Sequence, residues 1–202
     1  MHAMRILYFI SHPDVAISPQ VPITRWPLSP RGRARMAAAL AQPWVANLSS
    51  IYSSTEQKAI DGAAILAAHC GLGFTQVPAL GENDRSSTGY LPLAEFETVA
   101  DAFFAQPGES VRGWETAVDA QARIADAVAS IAAADATAGD VAIVSHGAVG
   151  ALLYCHLAGH PISRRWDQPA NGGGNYFTVE WGDKPRALSW WLPVDEVVPA
   201  AS

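Results

Sequence analysis

The stretch Val141-Ala142-Ile143-Val144-Ser145-His146-Gly147 decides how this chain is read. Asp140 precedes a short, continuous apolar run, which reads as a buried strand. Ser145-His146-Gly147 then leads into an apolar helix over Val149–Leu157. Near the other end of the chain, Ile6–Ile10 is a run of the same kind, and it ends in the same way, in Ser11-His12. Pro13 restricts His12 to extended geometry and opens a loop. In open α/β sheets, ligands bind beyond the carboxyl ends of the strands. If these two strands are neighbours, both imidazoles point into one crevice; the alternative is that each is a satisfied histidine at a strand end.

The segments between them alternate in type. Ser29-Pro30 starts a helix that runs to about Ala41, since serine caps well and proline suits the first turn. Ser50–Ser53 is a second short strand. A helix follows from Thr55 to Cys70, with Ser54 and Gln57 at capping-box spacing and Gly71 as its C-cap. Phe74–Val77 reads as a strand and Gly81–Leu91 as a polar loop. Leu93–Ala105 and Trp114–Ala134 read as helices, the second carrying Ala117, Ala120, Ile124, Val128 and Ile131 along one face. Asn171–Gly174 is a turn before a strand at Tyr176–Trp181, and Ala187–Leu192 is a last strand before a loose tail. Alternating strands and helices predict a three-layer α/β/α sandwich around a mostly parallel central sheet. No composition break or solenoid repeat divides the 202 residues, so one domain over 1–202 is expected, burying roughly 70% of the surface of the unfolded chain.

Composition narrows the function. Apolar residues make up 50% and charged residues 16%, a globular balance. Thirteen Lys/Arg against nineteen Asp/Glu leave a net charge of −6, which argues against a general nucleic-acid or anionic-membrane binder but not against a small anionic ligand. The first apolar run is too short for a signal peptide or spanning helix. Two cysteines, Cys70 and Cys155, are too few for a disulfide framework, so a reducing, cytoplasmic setting is expected. His156 and His160 have i, i+4 spacing, but Gly159 and Pro161 end the helix there and no carboxylate completes a metal site. His69 reads as structural, His2 as part of a frayed terminus, and the seven tryptophans as core. Lys58 lies about one turn inside a helix start, where free N–H groups and the helix dipole attract an anion; it either reaches over that anion or is a solvated lysine.

Six short segments occur in a fixed order over about residues 4–180: Ile10-Ser11-His12-Pro13-Asp14, Leu28-Ser29-Pro30-Arg31-Gly32, Ile51-Tyr52-Ser53-Ser54-Thr55-Glu56-Gln57-Lys58-Ala59, Leu80-Gly81-Glu82, Gly113-Trp114-Glu115 with Arg123, and Val144-Ser145-His146-Gly147. Each is weak alone; the ordered set is specific. In it the chain resembles the histidine phosphatase superfamily, the group that includes cofactor-dependent phosphoglycerate mutases. It departs from that family's pattern where Ser11 and Pro13 flank the first histidine in place of arginine and glycine, and where Lys58 replaces an arginine. Lysine lacks the planar bidentate fork, and a charge is lost at Ser11.

The resemblance implies a phosphoglycerate mutase-like fold and a two-step phosphoryl transfer on a small phosphorylated substrate, with no metal or cofactor. His12 would be the nucleophile, Glu82 the proton donor and later the base, and His146 a stabiliser of the phosphoryl oxygens. Asp84 is a rival to Glu82. Ser11, Lys58 and Arg25 would surround the phosphate, Arg25 replacing the missing charge ahead of Arg31 and Arg85. Trp26 and Trp114 fall near the mouth that the family gives its site. The short chain shows no extra lid, which favours a phosphatase over a mutase. The competing reading is a non-enzyme that binds a phosphorylated ligand or partner without turnover. A homodimer is compatible with the subunit size.

Overall fold

A computed structural model describes residues 5–182 and 185–197. The expectations for His2 and for the last residues of the tail lie outside these. Seven strands form one sheet: β1 (Arg5–Ser11), β2 (Leu48–Ser53), β3 (Thr75–Gln76), β4 (Asp140–Ser145), β5 (Asn175–Trp181), β6 (Arg186–Ala187) and β7 (Leu192–Pro193). The order is β3-β2-β4-β1-β5-β6, with β7 also on β5. The four strands β3, β2, β4 and β1 are mutually parallel; β5 turns antiparallel on β1 and carries the short edge pieces.

Alternation along β1 sorts the core into two layers. Leu7 and Phe9 join Val141, Ile143, Phe177 and Val179 on one face, under helices α3 (Leu93–Ala105), α4 (Ala117–Ala134) and α5 (Gly147–Ala158). Tyr8 and Ile10 join Ala142, Val144 and Tyr176 on the other, under α1 (Pro30–Ala39) and α2 (Gln57–Cys70). The predicted stripe of α4, Ala117 through Ile131, is buried. Among the described residues no helix is long and apolar enough to cross a membrane, and Cys70 and Cys155 are free thiols.

Local chemistry explains the ends of these elements and two departures from expectation. Ser29 caps α1 by accepting from the Gly32 N–H at 3.0 Å, and Gly71 closes α2 in the left-handed conformation. The Ser54/Gln57 capping box does not form: α2 is capped by Glu56 without a side-chain bond, because the Ser54 hydroxyl is used elsewhere. The last strand is two short pieces, not one. Between them the Ser189 hydroxyl accepts the Thr178 N–H, so a side chain takes the place of a ladder carbonyl and the chain leaves the sheet. Trp191 is buried, but Trp190 is 43% exposed and is not a core residue.

Gly32 fixes the loop after His12. A Cβ there would lie 2.1 Å from the Asp14 carbonyl oxygen, a rigid backbone atom that accepts the Ser29 N–H at 2.9 Å. Gly32→Ala therefore has to push the Pro13-Asp14 segment aside. A loss of about 1–3 kcal/mol in urea unfolding is expected, the cost typical of overpacking.

Candidate active site

The register of the central strands brings the predicted crevice together. Ser11 pairs with Ser145 at the ends of β1 and β4, and the His12 N–H donates to the Ser145 carbonyl at 3.0 Å. β2 ends beside them, where the Ser54 N–H donates to Val144. The two imidazoles issuing from β1 and β4 meet with ring centroids 5.2 Å apart.

Their protons can be assigned from their partners. His12 Nδ1 lies 2.9 Å from the Pro13 carbonyl oxygen. An amide carbonyl only accepts, so Nδ1 carries hydrogen and the lone pair is on Nε2. Burial, then the Lys58 cation, lower the His12 pKa to about 4; the Pro13 bond and Glu56 oppose them. His146 is fully buried, and burial holds it well below the usual imidazole value against the pull of Glu56. Its Nε2 meets the Ser54 hydroxyl at 2.7 Å and Glu56 Oε1 at 3.4 Å; its Nδ1 has no hydrogen-bond partner.

Lys58 is 2% exposed, so it is not a solvated lysine. Its ammonium pairs with Glu56 at 2.6 Å and donates to the Ile23 carbonyl at 2.9 Å. Burial works against the Glu56 charge, but His146, Lys58 and the Glu82 N–H outweigh it and hold the carboxyl at about 2. Glu82 lies at the start of α5: its carboxylate accepts from Val149 N at 3.1 Å and Ala148 N at 3.3 Å. The Glu82 loop is clamped from behind. Arg123 forks onto Glu115 at 2.9 and 2.8 Å and donates to the carbonyls of Ala79, Gly81 and Glu82, while the Ser145 hydroxyl donates to Leu80.

His12 and Glu82 open onto a cleft of about 860 Å³, walled by Phe96, Phe103, Phe104 and Trp114 and by the loop around Asp167 and Gln168. Arg85 lines it too, with its guanidinium 5.1 Å from the Phe96 ring and 5.8 Å from Trp114. Among the described residues, no cluster of three or more His, Cys, Asp or Glu side chains has metal-holding geometry. His160 lies beyond the end of α5, stacked on Trp166 with centroids 4.1 Å apart.

A sequence-family model described as "Histidine phosphatase superfamily (branch 1)" matches residues 14–192. The chain belongs to the histidine phosphatase superfamily. The match begins two residues after His12, just past the segment where the chain departs most from its relatives. Solved structures agree on the fold. Mycobacterial glucosyl-3-phosphoglycerate phosphatase with inorganic phosphate superposes with a TM-score of 0.75 at 23% identity, over 95% of this chain and 99% of that one. Its native form gives 0.74 at 25% identity, over 94% and 99%. Bacillus stearothermophilus YhfR gives 0.74 at 20% identity, over 95% and 100%. No curated protein matches the chain by sequence.

Two expected ligands of the histidine phosphatase site face elsewhere. Ser11 is fully buried: its hydroxyl donates to Gln168 Oε1 at 2.5 Å and accepts the Asn175 N–H at 3.1 Å, so it ties the His12 strand to the far loop rather than facing the cleft. Arg25 is exposed on the short turn Ile23–Arg25. The Ile23 carbonyl turns in to Lys58 and the Trp26 indole turns in to Ser18 and Val21, which leaves Arg25 facing outward. Arg31 pairs with Asp14 on the surface. Arg85, the last-ranked of the three arginines, is the one at the cleft.

Sequence reasoning missed Ser54, Glu56 and Asp167. Ser54 and Glu56 stood inside a recognised segment, but only as a helix cap and a spacer. Asp167 carried no signal. Burial, aided by Glu82 and Glu97, raises its pKa to about 6, with the Gln168 N–H and Arg164 opposing.

Proposed function

We propose that the chain is a single-domain phosphohydrolase that moves the phosphoryl group of a small phosphomonoester first to His12 and then to water. The His12 ring carries this reading: a fixed Nδ1–H and a low pKa leave Nε2 unprotonated at neutral pH, which is what a nucleophile at phosphorus requires. Nε2 forms a bond to phosphorus, the ester P–O bond breaks, and the departing oxygen takes a proton from the Glu82 carboxyl. Glu82 then takes a proton from water, whose oxygen bonds to phosphorus as the P–N bond breaks and returns the lone pair to His12. The unpartnered His146 Nδ1, the Lys58 ammonium and the Arg85 guanidinium balance charge on the phosphoryl oxygens. Ser11 acts as a positioning residue through Gln168 and Asn175. The glucosyl-3-phosphoglycerate phosphatase among its structural neighbours supports the phosphatase reading.

Incubating the protein with a radiolabelled aryl phosphate and quenching in alkali tests the intermediate. An acid-labile, alkali-stable label on the His12 peptide is expected. No label from a broad panel of phosphoesters, with inorganic phosphate still bound, would instead establish the binding-only alternative.

The proton donor is tested by leaving-group dependence. Glu82→Gln is expected to slow hydrolysis of alkyl phosphates about 10²–10⁴-fold. 4-Nitrophenyl phosphate should be much less affected, because its leaving oxygen departs without a proton. Asp167 is the second carboxyl in the cleft, and it is partly protonated near pH 6. If Asp167→Asn gives that selective loss and Glu82→Gln does not, the assignment moves to Asp167.

A further inference from the structure

Beside the His12 cleft lies a separate recess of about 200 Å³ whose lining includes Ile17, Trp26, Tyr90, Leu93 and Phe96. Arg85, Leu93 and Phe96 line both spaces, so the two are continuous. The recess collects side chains that folding does not bury. Leu93 is 74% exposed, Ile17 60% and Tyr90 38%, three of the most exposed large apolar residues among those described. They come from the loop after β1, the end of the Glu82 loop and the first turn of α3, yet they meet at one place. Scattered exposed apolar residues need no account; a cluster at the edge of a catalytic cleft does.

The charge pattern says what the cluster can receive. Arg85 is the cation at the seam, and its guanidinium lies over the Phe96 and Trp114 rings, next to the phosphoryl position. Arg164, the other cation lining the cleft, is committed to Glu97 and Asp101. Glu82, Glu97 and Asp167 add carboxylates. A substrate with a second anionic group beyond its phosphate meets carboxylates and a paired arginine. A substrate with a hydrocarbon there meets Leu93, Phe96, Tyr90 and Ile17. The recess has the size for one ring or a short chain, since a cavity of about 150 Å³ already holds benzene.

We propose that this recess is the leaving-group subsite, and that it selects phosphomonoesters of uncharged apolar alcohols or phenols over those of sugar acids and bisphosphates. The proposal rests on the phosphatase reading for the phosphoryl position, but its test does not need turnover. Dissociation constants of the n-alkylphosphonates from ethyl to hexyl, measured by calorimetry, read the subsite directly. Affinity is expected to rise about two- to fourfold per methylene. Leu93→Asn and Tyr90→Ser, singly and together, should flatten that slope. A flat series in the wild-type protein, or 3-phosphoglycerate binding more tightly than hexylphosphonate, overturns the proposal. The matched hydrolysis of ethyl and hexyl phosphate separates the two failures. A steep binding series without hydrolysis leaves the subsite standing and removes the phosphatase reading. A flat series with hydrolysis does the reverse, and failure of every phosphonate to bind removes both.

Discussion

His12→Ala is expected to abolish the phosphorylated intermediate and to lower kcat on an aryl phosphate by at least about 10³-fold. The size follows from what the residue holds in place. The Pro13 carbonyl fixes the tautomer at 2.9 Å, and the strand-end hydrogen bond to Ser145 fixes the backbone at 3.0 Å. Neither survives as a nucleophile when the ring is gone, and no neighbouring side chain presents a comparable free nitrogen: His146 has its Nε2 on Ser54. Because the His12 pKa is held at about 4, the acid limb of the wild-type kcat/KM profile should fall near pH 4 rather than near 6.5. The same shift appears in stability. The folded ring stays neutral where the unfolded ring takes a proton, so the His12 contribution is fully present above about pH 6.5 and is lost as pH falls towards 4. The loss amounts to about 3 kcal/mol. His12→Ala should therefore lose less stability than wild type between pH 7 and 4 in chemical denaturation. A histidine-linked phosphoryl label persisting in His12→Ala would transfer the nucleophile's role to another residue.

How far the sequence reaches is visible in the fate of particular residues. His12 and His146 were legible because strand ends are local: an apolar run, a serine and a histidine recur twice, and parallel pairing in register does the rest. Glu115 and Arg123 were legible as a spaced pair, though not as the clamp on the Glu82 loop that they form. What failed to show was partner choice across the chain. Ser54 sits at good capping spacing, yet its hydroxyl goes to a ring 92 residues away. Ser11 lies beside the nucleophile, but strand alternation turns it into the protein, towards Asn175. Arg25 and Arg85 are both loop arginines, and sequence proximity to His12 favoured the wrong one; packing of Trp26 and Ile23 decides which faces the cleft. A one-dimensional pattern records which side chains stand where strands end, not which of the competing polar partners each one takes.

Glu56→Gln is expected to have opposite effects on the protein alone and on its complex with phosphate. Glu56 and Lys58 form a buried pair at 2.6 Å, directly behind the two histidines. Removing the carboxylate leaves a buried ammonium with the Ile23 carbonyl as its remaining partner, a change that costs on the order of 3–5 kcal/mol. Glu56 titrates at about 2 in the folded protein against an ordinary value of 4.5, so its contribution is present above about pH 4.5 and fades as pH falls towards 2. The difference in stability between wild type and variant should shrink over that window. An anion at the phosphoryl position answers the same deficit. It supplies Lys58 with a counter-charge, and in the variant it no longer has to approach the Glu56 carboxylate. Inorganic phosphate or vanadate should bind the variant about tenfold more tightly, and saturating phosphate should then return roughly 1.4 kcal/mol more stability to it than to wild type. Thermal melts with and without phosphate check this in one experiment: the variant starts lower and rises further. An equal or smaller rise in the variant would mean that the Lys58 charge does not reach the anion, and the buried pair would then be a structural strut behind the site rather than a brake on phosphate binding that offsets the lysine in the place of arginine.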